Sequence, residues 1–274
     1  MNDAPRSNAG LSAPEAYLLI NLPRWDVHRA LKLGFMGLVT QGILRLDTED
    51  RPGFFRTRHI PHLRVAPDLP PPLPPVAASL VKVVRAAEPD GLLRAVLRQC
   101  QREYRQTLNG FIQGYVGPAL VARGLAEPKR ARVLGLFPYD SFALTPAGQD
   151  EKSRLQGLIQ ETRAVPTLIE SDPARAASLI AALGSALLLV DELKPHYPAL
   201  EKALRPSSNG SGGDFYYFPS SEISGGAHGD MCFDFGHLDF SCFDSSAFDS
   251  FDAGFSDAGG GDGGGGDGGA SSGC

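Results

Sequence analysis

Four residues near the C-terminal end have the types that bind zinc: His228, Cys232, His237 and Cys242. Thiolate sulfur and imidazole nitrogen are the usual donors, and two of each close a tetrahedral site. Their separations of four, five and five residues do not follow the short knuckles of zinc modules, so residue type rather than spacing carries this candidate. A second grouping is cationic. Lys129, Arg130 and Arg132 place three charges within four residues, enough to meet a phosphate or another anion.

Signatures of catalysis are missing from the sequence. It contains no His-Glu-x-x-His, no Gly-x-Ser-x-Gly and no phosphate loop closing in Gly-Lys-Ser/Thr. The Gly-x-Gly-x-x-Gly matches inside residues 259–269 come from a glycine run with neither strand nor helix pattern around it. His28, His59, His62 and His196 are scattered and read as surface or packing residues. Binding, not chemistry, is the expectation.

Charge divides the chain. Residues 1–205 hold 26 bases against 20 acids, whereas residues 206–274 hold 11 acids and no Lys or Arg. A basic body with an acidic, solvated appendage is the natural reading of such block asymmetry. Cys100, Cys232, Cys242 and Cys274 form no Cys-x-x-Cys pair, which favours a reducing compartment over a disulfide framework. MNDAPRSNAG has neither a basic region nor an apolar core, so no signal peptide is expected. The apolar run Ala176–Val190 is 15 residues long, short of the ~20 a spanning helix requires, and reads as a buried core helix.

The elements that would carry these residues follow from periodicity and punctuation. Ser12-Ala13-Pro14-Glu15 is a helix start, and that helix should stop before Pro23. A second begins near Asp26 and puts Val27, Leu31, Phe35 and Leu38 on one face. Gly34 and Gly37 weaken it unless another element packs close there. Gly42 suits a left-handed helix end, after which Ile43–Leu46 and Phe54–Thr57 read as a hairpin around an acidic turn. Residues 67–75, PDLPPPLPP, are a stiff polyproline spacer, or a ligand for a proline-recognition partner.

A second unit repeats the first. Its helices run from Val76 to about Ala87 and from Leu92 to Thr107, the latter striped by Leu93, Val96, Leu97, Cys100 and Tyr104. The third, Phe111–Arg123, ends on Leu120-Val121-Ala122-Arg123-Gly124-Leu125, matching Leu38-Val39-Thr40-Gln41-Gly42-Ile43 upstream. Val133–Leu136 and Ser141–Leu144 are its wing strands. Thr145-Pro146 opens a helix with Leu155, Leu158 and Ile159 inward, and Asp172-Pro173 opens the apolar helix ending near Leu193. Pro195 and Pro198 bracket a turn before a short helix that finishes at Leu204.

Past Pro206, Ser, Gly, Asp and Phe dominate, a composition that predicts disorder. Asp234, Asp239, Asp244 and Asp249 recur every five residues, and Asp252, Asp257, Asp262 and Asp267 do so again. Five is the period of neither helix nor strand, so the pattern reads as a string of weak docking points.

The fold class expected is mainly α with small β-hairpins: two winged-helix-like modules in tandem (11–66 and 76–162), the linker 67–75, a helical extension 163–205 and a disordered acidic tail 206–274. Glu15-Ala16-Tyr17-Leu18, Pro23-Arg24 and Leu38-Val39-Thr40-Gln41-Gly42 together resemble the start of a bacterial family of unknown function. Ala119–Leu125, Leu144–Gly148, the apolar run and the Gly/Ser/Cys end fit that family's layout. The resemblance implies a helical domain, membrane segments and a glycine- and cysteine-rich tail; this chain departs from it in having no spanning helix. Val133-Leu134-Gly135-Leu136-Phe137-Pro138 is similar to a phrase of the Golgi phosphoprotein 3-like family. That likeness implies a helical domain and, from its eukaryotic members, a site for phosphoinositide head groups.

The function expected is a non-catalytic, cytoplasmic protein-interaction adaptor whose acidic tail docks weakly or autoinhibits. The alternatives are a winged-helix nucleic-acid-binding regulator and a peripheral protein on anionic lipid. No cofactor is implied beyond the zinc candidate.

Overall fold

The computed structural model describes residues 10–51, 58–69, 72–133 and 137–197. Helix α1 (Ala13–Asn21) begins as its cap dictates: Glu15 Oε2 accepts hydrogen bonds from the Ser12 amide at 2.8 Å and the Ser12 hydroxyl at 2.5 Å. Helix α2 (Val27–Thr40) starts with the Asp26 carboxylate accepting from the His28 and Arg29 amides, at 2.8 and 3.4 Å. Val27, Leu31, Phe35 and Leu38 are all buried, as the spacing requires. Gly34 is a close approach. A Cβ there would lie 2.7 Å from Leu80 Cδ1, on the helix α3 (Pro75–Ala86) that packs across it.

The sequence repeat is a structural repeat. At the end of α2, Ile43 N donates to Leu38 O at 2.9 Å and Gly42 N to Val39 O at 3.0 Å, with Gly42 at φ +68°. After helix α6 (Gly117–Ala122), Leu125 N donates to Leu120 O at 3.0 Å and Gly124 N to Val121 O at 2.9 Å, with Gly124 at φ +71°. These are two copies of the Schellman closure, in which a left-handed residue turns two amides back onto orphan helix carbonyls. Each opens an antiparallel hairpin: β1 (Leu44–Arg51) with β2 (Arg58–Val65), and β3 (Ala126–Val133) with β4 (Phe137–Leu144). Each hairpin also closes alike. Ala66 N donates to Ile43 O at 3.0 Å and Thr145 N to Leu125 O at 3.2 Å.

Both hairpins differ from expectation in register. The acidic stretch 47–51 is strand, not turn: Asp47 pairs with His62 and Asp50 with His59 in the register, so polar residue types replace apolar ones across this part of the ladder. The expected return strand Phe54–Thr57 lies outside the described residues; the strand that pairs is Arg58–Val65. In the second hairpin the outgoing strand starts directly after the Schellman glycine. Ala126–Val133 replaces Val133–Leu136, and residues 134–136 fall outside the described set.

Helix α4 (Leu93–Glu103) stops short of Thr107 because Arg105 and Leu108 take φ of +67° and +56°, outside helical space. That bend sends Leu108 and Phe111 into the core, where the Tyr104 ring meets Phe111 at a tilt with centroids 5.2 Å apart and Tyr115 edge-on at 5.7 Å. The third helix of the second unit is three segments: α5 (Asn109–Phe111), a π-helical turn (Ile112–Val116) and α6. Gly114 and Pro118 explain the widened turn, since proline has no amide to donate to the preceding carbonyls.

Helix α7 (Pro146–Thr162) is capped by Thr145, whose Oγ1 accepts from the Gly148 amide at 3.0 Å. Its Leu155 is buried, with Leu158 and Ile159 packed against the core. A short α8 (Val165–Ser171) precedes α9 (Pro173–Leu183). The apolar run is not one helix to Leu193. Gly184 at φ +51° ends it, and two 3-10 turns, Gly184–Leu189 and Asp191–His196, carry Leu187, Leu188 and Leu193 inward. Among the described residues no helix is long and apolar enough to cross a membrane.

One apolar cluster runs from Ala13 to Tyr197 and takes residues from both repeated units. Leu69 and Leu73 of the proline-rich stretch pack on it, so that segment is tied to the core at both ends.

Candidate functional site

Lys129 and Arg130 are exposed on β3, and Arg132 follows on the same strand. Strand geometry separates them. Successive side chains point to opposite faces, so Lys129 and Arg130 lie on opposite faces of the hairpin. The register sets Arg130 opposite Asp140. Below them the hairpin is fixed to the helix: Phe142 is buried with its ring over Gly117, where any Cβ would collide with it.

Helix Phe111–Arg123, the segment that would read DNA bases in a winged helix, spends its side chains inward. Phe111, Ile112, Val116 and Leu120 are fully buried. The outward residues are Gln113, Gly114, Pro118 and Ala122, a poor set of donors for base edges. Arg123 is engaged elsewhere. Its Nε lies 3.2 Å from Glu15 Oε1, and Glu15 is itself buried at the start of α1. One carboxylate therefore caps α1 with Oε2 and holds the end of α6 with Oε1, joining the two repeated units.

The zinc candidates His228, Cys232, His237 and Cys242 lie outside the described residues. Among the described residues no group of three or more His, Cys, Asp or Glu is placed to hold a metal. His62 is a packing residue. Its Nδ1 is 2.8 Å from Asp90 O, a carbonyl, so Nδ1 carries a proton. Nε2 sits 3.1 Å from Glu49 Oε2 without the alignment of a hydrogen bond. Together with Leu63 N donating to Gly91 O at 2.7 Å, this ring pins the first hairpin to the turn before α4.

Sequence reasoning missed a row of exposed bases among the described residues. Arg94, Arg98 and Arg102 recur every four residues along α4, opposite its buried stripe of Leu93, Val96, Leu97 and Cys100. All three are exposed, and none is hydrogen-bonded or ion-paired to another described residue. Arg105, exposed and left-handed, continues the row past the helix end. At the other end Arg64 packs beside Gly91, and the register sets it directly opposite Arg45, also exposed. Like charges four apart on a helix cost it roughly 0.2–0.5 kcal/mol per pair, and directly opposed like charges also disfavour a sheet. Of the nearby acids, Asp47 stands two residues from Arg45 on the same strand face, Asp90 precedes α4, and Glu103 is taken by Lys82 at 2.6 Å. The signal is in the sequence as a period of four, on the helix face opposite the apolar stripe.

No family model matches this chain, and no curated protein does.

Proposed function

We propose that this chain is a non-catalytic adaptor: two winged-helix-like units share one core and present a basic body to an acidic protein partner. The single observation that carries this reading is the row Arg94–Arg98–Arg102 with Arg45 and Arg64 before it, exposed and without an ion-pair partner among the described residues. Arginine suits the role, because its planar fork pairs carboxylates bidentately and its face stacks on aromatic rings. The hairpins contribute faces rather than edges. Pro61, Pro128 and Pro138 interrupt the amide rows that an added strand would need, and β3 carries charge along its length.

A rival reading, an anionic lipid or nucleic-acid surface, draws on the same arginines and on Lys129 and Arg130. The test replaces Arg98 in the full chain with a photo-crosslinking residue and recovers adducts from the source cell. A discrete acidic polypeptide bound at that position supports the adaptor reading. Adducts made only of nucleic acid or lipid would transfer the function to the rival.

A further inference from the structure

We infer that the arginine row of α4 is the docking site of this chain's own acidic segment, residues 206–274. The inference rests on the adaptor reading and deepens it: the segment holds the place that an acidic partner takes.

Three observations converge on it. The row is long and one-sided, since α4 rises ~6 Å between arginines four apart while its opposite face is in the core. Its arginines are unpaired: among the described residues none of the three is in an ion pair, and Glu103, the acid next to Arg102, is taken by Lys82. The third observation is the composition of residues 206–274, which contain 11 acids and no Lys or Arg.

The acids also come with the right neighbours. Phe233-Asp234-Phe235, Leu238-Asp239-Phe240, Phe243-Asp244 and Phe248-Asp249 each set a carboxylate against an apolar, mostly aromatic side chain. A guanidinium accepts both at once, the carboxylate along its edge and the ring on its face. Four such units on one tether compete for a row long enough for one or two, so dissociation of one is followed by capture of the next. Reach is not limiting. From Tyr197 to Asp234 the chain can span up to roughly 120 Å, well beyond the dimensions of a body of this size.

Lys129 and Arg130 are the competing site on the body, but they sit on opposite faces of a strand and Arg130 faces Asp140 in register. The α4 row has neither handicap.

The test uses the full chain with Arg94→Lys, Arg98→Lys and Arg102→Lys, which keeps the charges and supplies amines. A zero-length carbodiimide then joins each new lysine to any carboxylate it pairs with, and peptide mapping reads the partners. The native Lys32, Lys82, Lys129, Lys152 and Lys194 serve as internal comparisons. Cross-links from positions 94, 98 and 102 to Asp234, Asp239, Asp244 or Asp249, several-fold above those from the other lysines and lost at high salt, are expected. Even distribution over all lysines, or a maximum at Lys129, overturns the assignment. So does a wild-type chain whose binding to duplex DNA or to anionic vesicles falls tenfold in Arg94→Gln/Arg98→Gln/Arg102→Gln while cross-links stay even. The adaptor reading fails separately, when the chain yields no acidic polypeptide adduct at Arg98.

Discussion

Glu15 shows how much one side chain can do in a small body. It is buried, accepts from the Ser12 amide and hydroxyl, and holds Arg123 at 3.2 Å. Arg123→Ala leaves that carboxylate buried without its cation. The expected loss is roughly 2 kcal/mol, below the ~3–5 kcal/mol of a fully buried pair because Arg123 keeps some solvent contact. Denaturant unfolding of Glu15→Gln, Arg123→Ala and the double variant measures the coupling; additive losses would show that the pair contributes nothing. A second residue-scale expectation concerns alkali. Burial pushes the phenols of Tyr104, Tyr197 and Tyr17 above the ordinary value of 10.0, and the Cys100 thiol above its own. Folded Tyr104 keeps its proton and donates to Ser79 Oγ at 3.2 Å, while the unfolded chain releases it near the ordinary pKa. The unfolded state then binds fewer protons, so stability is intact below pH ~10 and falls above it by up to about 1.4 kcal/mol per pH unit per tyrosine. Melting temperatures that stay level from pH 9 to about pH 11 would contradict this.

At the scale of elements, the caps, the repeat and the inner halves of two strands, Leu44–Leu46 and Ser141–Leu144, were legible in the sequence, and the full extent of the hairpins was not. Ser12-x-x-Glu15, Asp26, Thr145-Pro146 and Asp172-Pro173 each start a helix where the residue chemistry says. The two glycine closures also stand where the matched hexapeptides put them, because only a left-handed residue lets both amides turn back. The hairpin registers were misread for a physical reason. Beyond the apolar pairs Leu44–Val65 and Leu46–Leu63, their strands continue through polar and proline-bearing register pairs such as Asp47–His62, Thr48–Pro61 and Lys129–Ser141, which carry no apolar alternation to follow. Arg105 and Leu108 were likewise unreadable, since neither residue type announces a positive φ. The glycines of α2 give a paired prediction. Gly34→Ala drives a methyl to 2.7 Å from Leu80 Cδ1 and should destabilise by about 1–3 kcal/mol through overpacking. Gly37→Ala meets Ala13 and Leu188 only at 3.8 and 3.9 Å, so the helix propensity gain of up to ~1 kcal/mol should survive. Thermal melts that rank the two variants the other way would refute the packing of α2 on α3.

For the whole molecule, the division of charge read from the sequence became more specific once the arginines of α4 were placed. The wing bases Lys129, Arg130 and Arg132 drew attention as neighbours in sequence, yet a strand disperses neighbours and a helix gathers residues four apart. The zinc candidates and the acidic segment lie outside the described residues. The central claim is that an acidic partner and the chain's own acidic residues compete for one basic face. The most direct measurement is the affinity of labelled polyaspartate for the full chain, compared with Asp234→Asn/Asp239→Asn/Asp244→Asn/Asp249→Asn. A several-fold gain at low salt, abolished when Arg94, Arg98 and Arg102 are also changed to Gln, is the predicted result. Equal affinity for the two full-length proteins would contradict it.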